Sequence, residues 1–456
     1  MRGAVVSLSL SMLLSALGTS IANVSLPTLA RTFNASFQDT QWIVLAYLLA
    51  MTTVMVSVGR LGDVLGRRRL LLAGLALFTI ASLCCGVAAT LWMLIAARIA
   101  QGLGAAIMMA LTLAFVADSV PKQQIGRAMG LLGTMSALGT ALGPSLGGVL
   151  IGICGWQSIF LINLPLGLLT FALAQHYLPA DNPPAHTGRA GFDPWGTLLL
   201  ALTLIAYTLG LTLGHGQFGR LNLALLVCAA IGMCLFVLVE GKVAAPLVRM
   251  TMFRNPVLTA GFAMSALVTT VMMATLVVGP FYLSGALALD ATRVGLVMSC
   301  GPAIAALTGL PAGRLVDRCG SQWMTRAGLI AMAGGCAILT LLPSSLGAAG
   351  YVAPLALITS GYALFQAANN TAVMADARAE QRGVISGMLN LSRNLGLISG
   401  ASALGAVFAY GSASTDIATA PALALVSGMH LSFGVAAVLV LIALAIAINS
   451  GRAAPS

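Results

Sequence analysis

Arg98 and Gln101 lie three residues apart inside one apolar run, and Asn390, Arg393 and Asn394 cluster inside another. Residues spaced three or four apart share one face of a helix. A guanidinium keeps its proton and offers five donors and no acceptor, so within a membrane span it must pair, reach water or meet an anion. The chemistry open to these residues is recognition and charge compensation. No Ser/His/Asp set, metal-spaced His/Cys cluster or G-x-x-x-x-G-K-[ST] phosphate loop occurs. The chain therefore reads as neither an enzyme nor an ATP-driven pump, and no metal or cofactor is expected. Further polar side chains sit within apolar runs: Asn23, Tyr47, and the i, i+4, i+7 set Tyr362, Gln366 and Asn369. With Asn390, Arg393 and the Arg98/Gln101 face, they are candidates for lining a substrate cavity. A helix–helix hydrogen bond is the competing reading for Asn23, and snorkelling to the outer interface for Arg98.

The elements that position them must be membrane spans. Of 456 residues 59% are hydrophobic and 7% charged, with a mean hydropathy of +1.00, where a soluble domain carries about 25% charged residues. Spans need roughly 20 apolar residues. Such runs lie near 4–29, 41–58, 70–89, 92–117, 126–151, 158–178, 194–213, 221–240, 256–284, 291–311, 323–342, 349–375, 383–410 and 423–449, about fourteen in all. The net charge of +11 is topological. Counting from a cytoplasmic N-terminus, 17 of the 22 Lys and Arg fall on one side and only Arg31, Arg220 and Arg293 on the other. That bias predicts both termini in the cytoplasm and argues against a nucleic-acid partner. Arg2 ahead of an apolar run gives residues 1–25 a likeness to a signal peptide, but no loop follows for a peptidase, so the run is expected to stay as the first span. The eight cysteines form no C-x-x-C pair and read as packing thiols.

The chain repeats itself. Gly59–Arg69 reads G-R-L-G-D-V-L-G-R-R-R, and Gly59, Asp63 and Gly66 recur as Gly313, Asp317 and Gly320 at a constant offset of 254. Both stretches join apolar runs and are expected to be tight basic turns, with Arg67 and its neighbours holding the first in the cytoplasm. A repeated connection between repeated helix pairs implies two related halves, as in secondary transporters. The expected division is 1–178, a 179–255 segment holding an inserted helix pair, and 256–456. In the fifth run Gly139, Gly143 and Gly147 recur every four residues beside Pro144 and Gly148, a groove for close helix packing with a kink.

These residues resemble the major facilitator superfamily, in particular its fourteen-helix drug:proton antiporter branch. The resemblance runs essentially end to end. It rests on G-x-L-x-D-x-x-G-R-R (59–68), R-x-x-Q-G-x-G-A-A (98–106), G-x-x-x-G-P-x-x-G-G (139–148), W-x-x-I-F-x-I-N-x-P-x-G (156–167), F-R-N (253–255) and the pattern from Arg382 to Gly396. It implies an all-α polytopic membrane protein with the major facilitator fold: two six-helix bundles plus an inserted pair, about 14 transmembrane helices, alternating access around a central site. It also implies proton or substrate coupling at Arg98 and Gln101, and an antiporter helix carrying Gly139, Gly143, Pro144, Gly147 and Gly148. Gating is implied at Gly59, Asp63, Gly66, Arg67, Gly313, Asp317, Gly320 and Arg382, with Asp63 closing against the start of the thirteenth span and Asp317 against the start of the fifth.

One departure bears on mechanism. Members of that branch carry Asp five residues before the Asn of N-V-x-L-P; Gly18 stands there. None of the eleven acidic residues falls near the middle of an expected span, and both span-embedded charges are positive, which suits neutral, zwitterionic or anionic compounds over multiply cationic ones. The expected protein is an inner-membrane exporter of small organic compounds, a monomer in the lipid bilayer, with protons as the candidate exchange ion. An uncoupled facilitator or importer of a polar metabolite, such as a sugar or organic acid, is the alternative.

Overall fold

The computed structural model describes residues 2–119, 125–179, 194–213, 219–242, 255–375, 379–413 and 420–453, and all regular structure among them is helical. In chain order the helices are α1 (Arg2–Thr32), α2 (Phe37–Leu65), α3 (Arg67–Gly86), α4 (Leu91–Ser119), α5 (Ile125–Cys154), α6 (Ser158–Leu161), α7 (Asn163–Tyr177), α8 (Pro194–Thr212), α9 (Arg220–Glu240), α10 (Pro256–Phe281), α11 (Ala291–Cys319), α12 (Ser321–Thr340), α13 (Gly347–Ala375), α14 (Ala379–Ser399), α15 (Gly405–Gly411) and α16 (Ala422–Ala453). A π-helical turn at Tyr282–Ala286 extends α10, and a second at Gly400–Leu404 joins α14 to α15.

Local chemistry starts several of these helices. Ser36 accepts from the Asp39 amide at 3.0 Å while its hydroxyl donates to Asp39 Oδ2 at 2.7 Å, a reciprocal cap opening α2. Asn255 Oδ1 accepts from the Val257 amide at 2.9 Å, with Pro256 in the first helical position of α10. Asp290 caps α11 through the Arg293 amide at 2.8 Å.

Among the described residues, twelve helices are long and apolar enough to cross a membrane, against the fourteen expected. The expected spans outside that set, near 41–58 and 126–151, fall on α2 and α5, which are helical over 29 and 30 residues. Gln38, Asp39, Thr40 and Gln41 dilute the apolar content at the start of α2. In α5 only Leu138–Cys154 stands as an apolar helix of its own.

The expected basic turns need correction. α2 stays helical to Leu65 and α3 begins at Arg67, so Gly59 and Asp63 are helical and Gly66 alone breaks the path. In the second copy α11 runs to Cys319 and Gly320 alone separates it from α12. Both linking glycines take a left-handed φ, 93° at Gly66 and 83° at Gly320, which L side chains resist. One such residue reverses the chain, while glycine inside a helix costs only about 1 kcal/mol and need not end it. The offset of 254 carries Phe37–Leu65 onto Ala291–Cys319 and Arg67–Gly86 onto Ser321–Thr340, residue for residue.

The chain forms two compact units: Met1–Ala35, Trp42–Tyr207 and Ala224–Leu247 in the first, and Ser36–Gln41, Thr208–Leu223 and Val248–Ser456 in the second. In the first unit α5 lies against α1. A Cβ on Gly139 would run into the Leu13 carbonyl, on Gly143 into Ser20, and on Gly147 into Val24 and Ile21. Lipid supplies little drive for helices to associate, so such van der Waals approach holds the pair. The hydroxyls of Ser11, Ser15 and Thr19 donate to carbonyls four residues back, which satisfies them within α1. In the second unit α14 lies against α10, where a Cβ on Gly396 or Gly400 would strike the Ala266 or Thr270 carbonyl. Residues 36–41 also pack there: Phe37 stacks edge-on to Phe281 at 4.7 Å, and Gln41 Nε2 donates to the Ala401 carbonyl at 2.9 Å.

Candidate functional site

Arg98, on α4 of the first unit, is fully buried. Its Nε donates to the Ile43 carbonyl of α2 at 2.9 Å and its Nη1 to the Gly18 carbonyl of α1 at 3.1 Å. Nη1 also donates to Gln101 Oε1, one turn along the same helix. Gln101 passes the chain on, donating Nε2 to Ser82 Oγ of α3 at 2.7 Å. The Tyr47 ring lies over the guanidinium with its centroid 4.1 Å from the central carbon, and the Tyr47 hydroxyl donates to the Ser15 carbonyl at 3.0 Å. Phe160 stands 5.9 Å away on another side. A cation over an aromatic face gains about 2 kcal/mol or more once desolvated. Among the described residues Nη2 has no partner. The cation thus ties α1 and α2 to α4 through carbonyls, amide and ring, and Gln101 extends the link to α3; among the described residues no carboxylate takes part. Gly18, the departure from the Asp of the resembling branch, supplies a backbone carbonyl; a Cβ there would press on Phe78 and the Tyr47 hydroxyl at 3.2–3.3 Å.

Arg393, on α14 of the second unit, is half-buried. Its Nη2 donates to Asn370 Oδ1 at 2.6 Å and its Nη1 reaches Asn390 Oδ1 at 3.5 Å. Tyr362 lies eight residues before Asn370 in α13, about two turns, on the same face of the helix. The backbone below is pinned, since Thr269 Oγ1 of α10 donates to the Arg393 carbonyl at 3.1 Å. Tyr362, Gln366, Asn370, Asn390 and Arg393 all keep partial exposure.

The structure therefore joins Tyr47 and Gln101 to Arg98, and Asn390 to Arg393, with Tyr362 on the α13 face that carries Asn370. Two expected cavity residues stand elsewhere. Asn23 is buried and donates to the Thr19 and Ser20 carbonyls of its own helix at 3.2 and 3.4 Å. Asn369 is buried and ties α13 to α10 through the Gly261 carbonyl at 3.1 Å and Ser265 Oγ at 2.9 Å. Asn370, its neighbour, is the amide that meets Arg393. The 362/366/370 spacing could have found it, because i, i+4, i+8 follows a helical face as well as i, i+4, i+7 does. Ser82 carried no such signal. The side chains of Gly59, Asp63 and Arg382 lie outside the described residues. Asp317 is exposed at the end of α11, and a Cβ on Gly313 would meet nothing within 4 Å.

Residues 8–401 match the family described as Major Facilitator Superfamily. The chain is 31% identical over 396 residues to the riboflavin transporter RibZ of Clostridioides difficile, covering 87% of this chain and 86% of that one. It is 32% identical over 392 residues to the multidrug resistance protein Stp of Mycobacterium tuberculosis, covering 85% and 72%. In fold it is similar to a bacterial homolog of the human lysosomal transporter Spinster in an inward-facing, occupied conformation, with a TM-score of 0.67 at 17% identity over 98% of this chain and 96% of that one. Twelve helices able to cross a membrane among the described residues, and homology along most of the length, define a multi-pass membrane transporter, and the chain belongs to the Major Facilitator Superfamily.

Proposed function

We propose that this protein exports small organic compounds from the cytoplasm by alternating access, in exchange for protons, as a multidrug or metabolite efflux carrier. Counting α2 and α5 as spans gives fourteen, and the concentration of Lys and Arg on one side supports an inner-membrane protein with cytoplasmic termini. The observation that carries the reading is the α1–α5 seam. Gly139, Gly143 and Gly147, flanking Pro144, admit the α1 backbone so closely that no Cβ fits. This is the helix that resemblance ties to exchange, and Stp, alike over most of the chain, is named for multidrug resistance.

A second reading, an uncoupled carrier of a polar metabolite, is favoured by the Arg98 cluster. The guanidinium there is held by the Gly18 and Ile43 carbonyls and Gln101, and among the described residues no carboxylate stands by to exchange a proton. RibZ is named for riboflavin, a neutral polar compound. Acridine-dye quenching in energised everted vesicles separates the two. The exporter recovers the quench when a substrate from a mixed panel is added, and loses that recovery in Arg98→Ala. Counterflow of labelled compound in proteoliposomes without any recovery would replace exchange by facilitation.

A further inference from the structure

We infer that Arg393, with Asn370, Asn390 and Tyr362, is the binding site for the carboxylate of a monoanionic or zwitterionic substrate, an assignment that rests on the transport reading above and deepens it. Asn370 Oδ1 and Asn390 Oδ1 both face the guanidinium, which can only donate. Each amide has therefore turned its acceptor toward the cation and, among the described residues, has its Nδ2 donors left to offer. The site shows guanidinium N–H groups and two amide NH₂ groups, so the groups around the cation are donors.

Among the described residues no carboxylate pairs with Arg393, although it lies within the span Met388–Gly411. A cation at that depth is costly without a counter-charge. The charge is single, which a carboxylate balances. A phosphate monoester, at about −1.5 to −2, would leave excess negative charge in a poorly solvated place. Partial exposure of Arg393 and its amides gives a ligand access that the sealed Arg98 denies. A multiply cationic compound would meet donors and like charge.

The test uses the full chain in lipid nanodiscs and reads the side chain directly. Phenylglyoxal modifies accessible arginine, and peptide mass spectrometry follows Arg393 with buried Arg98 as internal reference. At about ten times its Kd, naphthoate is expected to slow modification of Arg393 roughly tenfold, while naphthamide, of the same shape and at the same concentration, does not. Equal protection by both, or protection by neither, overturns the assignment. A second arm measures proteoliposome transport of a rhodamine bearing a free aromatic carboxylate against its methyl ester. The acid is expected to be preferred; Asn370→Asp, which keeps Arg393 but hands it an internal carboxylate, is expected to cancel the preference, and Arg393→Lys to keep part of it. A preference that survives Asn370→Asp overturns the inference. Naphthoate protection with no transport of either dye would instead count against the transport reading and leave the anion site standing.

Discussion

The two span-embedded arginines solve the same problem in opposite ways. Arg98 spends its donors on the protein: two backbone carbonyls, one amide, and an aromatic lid, with full burial. Arg393 is half-buried and leans on two side-chain amides whose own donors remain to be used. They are not counterparts in the repeat. At the offset that superposes α2 on α11, Arg98 falls on Val352 and Arg393 falls on Gly139. Where the first unit closes its α5 seam with a glycine, the second places an arginine, and its seam against α10 moves to Gly396 and Gly400. The equivalent carbonyl still receives a neighbouring hydroxyl in both, Ser20 onto Gly139 and Thr269 onto Arg393. One repeat position thus serves packing in one unit and recognition in the other.

The sharpest test exchanges guanidinium for ammonium. Arg98→Lys is expected to lower transport of every compound at least tenfold, because one compact ammonium cannot reach carbonyls on α1 and α2 and Gln101 at once. Arg393→Lys is expected to keep transport and shift only the preference for acids. Initial rates in proteoliposomes, measured on acid and ester dyes, would break the comparison if the two variants lost activity alike.

Next in size is the seam. Gly143→Ala puts a methyl onto Ser20 and against the Ile21 backbone, and overpacking of this kind costs about 1–3 kcal/mol. Thermal unfolding in detergent should show a clear loss. Gly18→Ala presses only on the Phe78 ring and the Tyr47 hydroxyl, side chains that can yield, so a smaller loss is expected. Equal losses would mean that the α1–α5 approach is looser than its geometry implies.

Tyr47 probes the lid. Tyr47→Phe removes the hydrogen bond to Ser15 but keeps the ring over Arg98, for about 1 kcal/mol. Tyr47→Leu removes the cation–π contact as well, about 2 kcal/mol more for a desolvated cation. Unfolding midpoints in that order support a structural Arg98; the reverse order would argue that the hydroxyl matters more than the ring.

Much of this was legible in the chain alone. Repetition of G-R-L-x-D-x-x-G marked α2–α3 and α11–α12 as copies of one helix pair, and three-residue spacings marked the Arg98/Gln101 and Asn390/Arg393 pairs. Periodicity reports which residues share a face of one helix and is silent on what lies opposite. Ser82 meets Gln101, and the Gly18 carbonyl and the Tyr47 lid meet Arg98, all from other helices, so no spacing could announce them. The length of the basic turns was misjudged for a related reason. Glycines mark where a chain can turn, whereas the structure needs only Gly66 and Gly320 to do so.

Adjacent asparagines on α13 provide the finest cut. Asn369 is buried and its amide donates to the Gly261 carbonyl and Ser265 Oγ, both on α10. Asn370 is half-exposed and its oxygen accepts from Arg393. Asn369→Ala removes two neutral hydrogen bonds, so a stability loss of about 1–2 kcal/mol is expected, with acid and ester dyes affected alike. Asn370→Ala leaves the fold nearly untouched, since a partly exposed guanidinium can take water in place of the lost oxygen. Its expected effect is confined to substrate choice, because the arginine loses the contact that orients it and the amide donors beside it. Thermal midpoints and the acid-to-ester transport ratio, measured on both variants, should therefore move separately: one residue shifts only the midpoint, and its neighbour only the ratio. Coupled shifts would place Arg393 among the packing contacts, alongside Arg98.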